Sequence, residues 1–376
     1  MDSELIREPD QLLSRLRAVQ LGAAQRMLAR SNRRELEAPV QAQPATGVAG
    51  RGVWRRRCIV FLMASTTILA TAEADAQQDL AVGMVTQVAG DVGIVEVMPK
   101  DGAHWRPARP LLALRPGDTV RTTADASAIV ILSGDPHPIK IDSTNSPFIV
   151  PAPRPDMARS AKAVLLLRAI IAYLSINTQD KLAPVLVTRH GRPTPSILSP
   201  RAGPVLPGPL VFEWSPTRSG SATVTVLSTT GVLLKQTGVT MTTLPYPEAG
   251  PMLVPGERYR LRVQEDPASQ LDTWFEIIGA ERADAVHRSL AELQQVLPAE
   301  ASASSVAVIK AGYLAQQGLY YDARALLLAA LAHDPRDPAL HMLLGHVYLE
   351  TGLPDLATES YRRAWLLLAH HEPTSR

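Results

Sequence analysis

Residues 304–337, SSVAVIKAGYLAQQGLYYDARALLLAALAHDPRD, and residues 338–371, PALHMLLGHVYLETGLPDLATESYRRAWLLLAHH, lie end to end and superimpose position by position. Ala311 falls on Gly345, Leu314 on Tyr348, Gly318 on Gly352, Leu319 on Leu353, Ala323 on Ala357, Leu327 on Tyr361 and Ala330 on Ala364. Self-similarity at a period of 34 residues marks a repeat architecture in which each unit is a pair of helices. Small Ala and Gly allow two helices to cross closely, and the larger Leu and Tyr fill the space between them. Gly318 and Gly352 fall where the turn inside each pair is needed, and Asp334-Pro335 ends the first unit.

These 68 residues resemble two tetratricopeptide repeats. One such unit cannot bury its own apolar face, and arrays usually need about three. The stretch Arg282–Val296, with Ala285, Leu290, Leu293 and Val296 apolar, is expected to supply a capping helix within 280–303. The resemblance implies a concave groove lined by the first helix of each unit, here Ser305, Val308, Gly312 and Gln316, then Met342, His346 and Glu350. These are the candidate partner-binding residues. The basic clamp with which some family members grip a peptide carboxylate is absent at these positions.

Upstream, residues 210–279 change period from helical to alternating. Phe212 and Trp214 share a face across Glu213, and Val224 and Val226 alternate with Thr223 and Thr225. Tyr259, Leu261 and Val263 alternate with Arg258, Arg260 and Arg262, an apolar face against a solvated one. Phe212-Glu213-Trp214 and Leu253-x-Pro255-Gly256-x-x-Tyr259 resemble an immunoglobulin-like or fibronectin-type sandwich. The arginine stripe reads first as a solvated sheet face, and second as a dock for an anionic cell-wall polymer. Residues 151–209 read as a short buried helix, around 158–174, followed by a Pro-rich linker over Thr188–Pro209.

Residues 77–150 alternate in short runs, with Thr119–Thr123 and Ser127–Leu132 rich in β-formers and Met84, Thr86 and Val88 expected on one face. Val88-Ala89-Gly90-Asp91-Val92, Trp105, the run Leu114–Thr122 and Ala126–Leu132 resemble a FecR-like domain, a periplasmic β-module found in envelope proteins of many roles. Asp91, Asp118 and Asp135 each follow a glycine, where an aspartate supports a turn by bonding its own backbone. They are too scattered for a calcium site.

The address comes from Trp54–Gln78, WRRRCIVFLMASTTILATAEADAQQ. Arg55–Arg57, an apolar run of fifteen residues from Cys58 to Ala72, and Ala74-Asp75-Ala76 follow the order of a secretory signal. A bilayer span needs about 20 apolar residues. The expectation is therefore a signal peptide over 53–76, cleaved after Ala76, and a periplasmic or envelope location. Residues 1–52 form a basic N-terminal extension; a start at Val53 would give a signal of ordinary length. Residues 1–57 hold eleven arginines against six acidic residues, and Glu73 and Asp75 follow, so of the formal +2 the remainder carries about −1. No basic block remains there for nucleic acid. The single cysteine, Cys58, lies in the signal segment, which leaves the mature chain without disulfide, thiolate or cysteine metal ligand.

No HExxH, phosphate loop, GxSxG elbow or GxGxxG is found, and His341 and His346 are five apart rather than four. The fold class expected is multidomain: an all-β FecR-like module, a β-sandwich and an α-helical repeat tail. The function expected is a non-enzymatic envelope scaffold without cofactor or metal, holding protein partners and touching membrane only if the signal segment stays uncleaved. The alternative is an inner-membrane transducer of the FecR type, with residues 1–50 controlling a sigma factor in the cytoplasm.

Overall fold

The computed structural model describes residues 81–369 apart from 91–93, 124, 136, 153–160, 179–194, 217–219 and 267–268. Residues 1–52, the expected signal segment over 53–76, Asp91 and His370-His371 lie outside the described residues. A β-rich first and central region precedes a helical C-terminal region, and among the described residues one helix lies between the two β-modules.

Among the described residues the first module has eight strands: β1 (Gly83–Ala89), β2 (Val95–Met98), β3 (Arg106–Pro107), β4 (Ala113–Leu114), β5 (Thr119–Thr122), β6 (Ser127–Leu132), β7 (Ile139–Ile141) and β8 (Phe148–Ile149). They form two four-stranded sheets, β4-β1-β6-β7 and β3-β2-β5-β8. Val85, Val130 and Ile141 of one meet Val95, Val97 and Val120 of the other in a shared core. At the Pro116-Gly117-Asp118 turn, Gly117 has φ +89°. The Asp118 carboxylate accepts from the backbone N–H of Arg115 (2.8 Å) and of Lys100 (3.0 Å), so it ties the turn to the end of β2.

Strand β1 departs from the simple alternation. Its register slips between Val85 and Gln87, and residues 83–86 are buried on both faces. Val85 enters the module's core, whereas Met84 belongs to a different apolar cluster, that of the helices. Thr86 turns its hydroxyl to the Ile129 carbonyl at 3.2 Å. A bulge of this kind re-aims side chains, and Met84, Thr86 and Val88 are consequently not one exposed or one buried row.

The second module comprises β9 (Ile197–Ser199), β10 (Gly203–Val205), β11 (Val211–Trp214), β12 (Ala222–Ser228), β13 (Gly231–Val239), β14 (Thr243–Pro245), β15 (Arg258–Asp266) and β16 (Ser269–Ile277). A three-stranded sheet, β14-β11-β9, and a five-stranded sheet, β10-β16-β15-β12-β13, share a core containing Phe212, Trp214, Val226, Tyr259, Leu261 and Phe275. Strands β9 and β10 correct the expected linker, because part of that Pro-rich interval is woven into the sheets. Both are edge strands, where a proline need not donate to a ladder on its outer side.

Helix α1 (Ala161–Thr178) precedes the second module, and α2 (Ala280–Val296), α3 (Ala303–Gln316), α4 (Tyr320–His333), α5 (Pro338–Glu350) and α6 (Pro354–Ala369) follow it. The α3–α4 and α5–α6 pairs repeat at the 34-residue period. Gly318 (φ +77°) and Gly352 (φ +72°) make the turns within the pairs, a backbone state closed to most L-residues. Asp337 caps α5 by accepting from Ala339 N (2.8 Å) and Leu340 N (3.3 Å), with Pro338 at the first helical position. Gly345 lies against the Tyr361 ring so closely that a Cβ would fall 2.9–3.0 Å from it. In α2 the buried residues are Ala283, Val286 and Leu293, whereas the expected Ala285 faces outward. Among the described residues no helix is long and apolar enough to cross a membrane.

Candidate functional site

Helix α1 runs along the inner face of the two helix pairs. Leu167, Ile170, Ile171 and Leu174 are fully buried, in one cluster with Val308, Ala311, Met342 and Leu343 on one side and with Met84, Leu111 and Ile131 of the first module on the other. The face expected to receive a partner therefore receives a segment of the same chain. Each expected groove residue can be placed. Ser305, Val308, Met342 and His346 are at most 2% exposed. A Cβ on Gly312 would lie 3.0–3.1 Å from the Leu174 side chain, so the missing side chain is what lets α1 approach. The amide of Gln316 donates to the Ala169 carbonyl at 3.5 Å. His346 Nε2 lies 2.7 Å from the Tyr173 hydroxyl, with the rings edge to face and Glu350 3.8 Å from His346 Nδ1. Burial pushes the Tyr173 phenol well above its ordinary range, so it stays a neutral hydrogen-bonding group.

The open partner groove is thus corrected to an internal interface. Four fully buried Leu and Ile side chains on α1 amount to roughly 8 kcal/mol of apolar burial at about 2 kcal/mol each. A competing peptide would have to replace that. A helix apolar all round must be buried, and Val164–Leu167 with Ala169–Ala172 carry that signal in the sequence, but nothing local names the surface that covers it. Two polar contacts fix α1 further: Arg168 Nε donates to Ser133 Oγ of the first module (2.9 Å), and Lys162 pairs with Glu292 of α2 (3.3 Å).

The second module is fastened to the same block. Arg324 of α4 forms a 2.6 Å ion pair with Glu213 of β11 and lies 5.7 Å from the centre of the Tyr348 ring. Burial alone would draw its guanidinium downward, and Glu213 and Tyr348 together more than offset that. Leu206 N donates to Asp322 at 3.1 Å, Val211 N donates to the Tyr321 hydroxyl at 2.9 Å, and Arg201 Nε donates to the Thr351 carbonyl near the end of α5 at 2.7 Å. Burial raises the Asp322 carboxyl to about 6.

A different surface is open. On the outer face of the five-stranded sheet, Leu227, Ser228, Thr229, Arg258, Arg260 and Trp274, with Asp272, line a concavity of about 710 Å³. Cross-strand register places Arg258 opposite Glu276, Arg260 opposite Trp274 and Arg262 opposite Asp272. Arg258 pairs with Glu276 at 3.3 Å and stacks 4.2 Å from the Trp274 ring centre, and Arg262 pairs with Asp272 at 3.0 Å. Asp272 also accepts from the Gln270 amide. The stripe is outward-facing, as its alternation predicts. Trp274 stands opposite Arg260 on the neighbouring strand. Its place beside Arg260 depends on register, which the sequence does not print.

Among the described residues no three His, Cys, Asp or Glu side chains cluster as metal ligands would. Compared with known protein families the chain matches none, and no curated protein is significantly similar to it.

Proposed function

We propose that this chain is a non-enzymatic scaffold exported to the bacterial cell envelope. In it a FecR-like module and an immunoglobulin-like or fibronectin-type sandwich are mounted on a pair of tetratricopeptide repeats. The observation that carries this is the seating of α1 on the inner face of the repeats, with ties from the helical region to both β-modules. Repeats whose concave face is filled from within act as a mount, holding two β-modules in fixed relation. Envelope protein partners then meet the outer surfaces of the block instead of threading its groove. The export half of the proposal rests on Arg55–Arg57, Cys58–Ala72 and Ala74-Asp75-Ala76.

Fractionation of producing cells, with the N-terminus of the product sequenced, tests the proposal. A soluble periplasmic product beginning at Gln77 is expected. A membrane-bound product that retains Met1 would overturn the export and cleavage, and would favour the sigma-factor transducer in its place.

A further inference from the structure

Strands β15 and β16 are interior strands of their sheet, each with a neighbour on both sides. The backbone of β15 is engaged in ladders with β12 and β16, and β16 is paired on its other side over Phe275–Ile277, so a peptide cannot add as an extra strand at β15, beneath Arg260. Over β15, what binds the concavity meets side chains and not an open backbone edge. Those side chains are an indole, a guanidinium stacked on it, two hydroxyl residues, a carboxylate and one further arginine.

The further arginine is the informative one. Arg258 and Arg262 each have a carboxylate partner, whereas the guanidinium of Arg260, between Trp274 on β16 and Leu227 on β12, has no ion-pair or hydrogen-bond partner among the described residues. Lys235 shares the face through Thr225, its neighbour on β12, and likewise has no charged partner among the described residues. Four cations, Lys235, Arg258, Arg260 and Arg262, thus stand against two carboxylates, Asp272 and Glu276, on this face. The chain from residue 77 onward is near −1 overall. The local excess asks for an anion, and it is sparse: one free guanidinium in the concavity and one free ammonium outside it.

We infer that this face is a subsite for a carboxylate-bearing polysaccharide, a glycan containing uronic acid. Arg260 is the charge anchor, and it binds the carboxylate through charge-assisted hydrogen bonds. Trp274, extended by the stacked Arg258, is the platform for the apolar face of a pyranose ring. Ser228, Thr229 and Asp272 serve the sugar hydroxyls. A densely charged phospholipid surface fits less well, since Asp272 and Glu276 stand within the same face. An acidic peptide finds no open backbone edge at β15, where Arg260 stands. The subsite stands apart from the export proposal, because it rests on the sandwich face and not on the address.

Calorimetric titration of the purified full-length chain tests it directly. The probes are a tetramer of galacturonic acid, its fully methyl-esterified form, a hexaglutamate peptide, and phosphatidylcholine vesicles containing phosphatidylglycerol. The free-acid tetramer should bind, with affinity falling as salt is added, and the ester should bind about tenfold more weakly or not at all. Arg260→Gln and Trp274→Ala should each weaken the acid tetramer about tenfold. Arg121→Gln should leave it unchanged; it removes an arginine stacked 4.0 Å over Trp105 in the first module, already paired with Glu96. Absence of binding by the acid tetramer, equal binding of the ester, tighter binding of hexaglutamate or vesicles, or an unaffected Arg260→Gln variant would overturn it.

Discussion

The inner face of the helix pairs and the outer face of the five-stranded sheet exchange the roles that their sequences suggest. Met342, His346 and Val308 sit where repeat proteins take a ligand, yet they are at most 1% exposed beneath α1. Arg258, Arg260 and Arg262 read as an ordinary solvated stripe, yet Arg258 and Arg260 border an open concavity with a tryptophan in it. The outward stripe is a local property, because alternation along one strand fixes which residues face away from the core. Closure of the inner face depends on a helix more than a hundred residues upstream, which no spacing within 304–371 can reveal.

The largest expected effect lies in that closure. Leu174 is fully buried and is the side chain that meets Gly312. Leu174→Ala should lower stability by about 2–5 kcal/mol, read from urea unfolding of the whole chain. A loss below about 1 kcal/mol would mean that α1 is a loosely held strap, and the groove would be open to partners after all. Gly312→Ala sharpens the same contact. Alone it overpacks against Leu174, but in the Leu174→Ala background its added methyl enters vacated space, so the two changes should be non-additive. Acidic substitutions at Met342 or Val308 test nothing about a partner, because they place a charge in the core.

Next is the joint between helices and sandwich. Arg324 is 11% exposed and Glu213 26% exposed across their 2.6 Å contact. Arg324→Met should cost about 2–3 kcal/mol, less than a fully buried pair because water reaches Glu213. Part of the loss should return in the double variant with Glu213→Gln, which no longer leaves a lone carboxylate. If the second change restores nothing, the arginine acts through packing on Tyr348 and not through charge.

Asp322 gives an effect of opposite sign at the same joint. Burial raises its carboxyl from 3.8 to about 6, so the folded chain holds a proton more readily than the unfolded one. Its contribution therefore favours folding at low pH, declines as pH rises from about 4 to about 6, and is flat above. Asp322→Asn keeps an oxygen for the Leu206 N–H. It should be more stable than the native chain by about 2 kcal/mol at pH 8, with no gain at pH 4. Urea midpoints of both proteins across that range decide it, and a gain of equal size at every pH would assign the effect to something other than ionisation.

What the sequence made legible follows the same division. Gly318 and Gly352, Asp334-Pro335 and the 34-residue spacing place the helices because each is a statement about nearby backbone. Likewise Thr119–Thr122 and Ser127–Leu132 form strands where β-formers cluster. Missed features need a distant partner to define them. Met84 turns to the helices because α1 covers the back of its sheet. Ile197–Ser199 and Gly203–Val205 pair with β11 and β16, although their prolines resemble linker. In the candidate groove all seven residues were locatable, but the occupant was not. On the sandwich face the arginines were legible, and their neighbour Trp274 waited on register.

The smallest expected effect completes the contrast. Arg260 has no charged partner among the described residues and borders open space, so nothing in the folded core depends on its guanidinium. Arg260→Gln should shift stability by less than about 0.5 kcal/mol, the range of surface changes that break no named interaction. It removes one of four cations from a face with two carboxylates, so any small change should be stabilising and should fade as salt is added. A measured loss above about 1 kcal/mol would show that Arg260 is tied into the sandwich and is not held free for a ligand. A residue that costs nothing to remove from the fold, set between an indole and an apolar side chain, is then free to act on what it meets outside the fold.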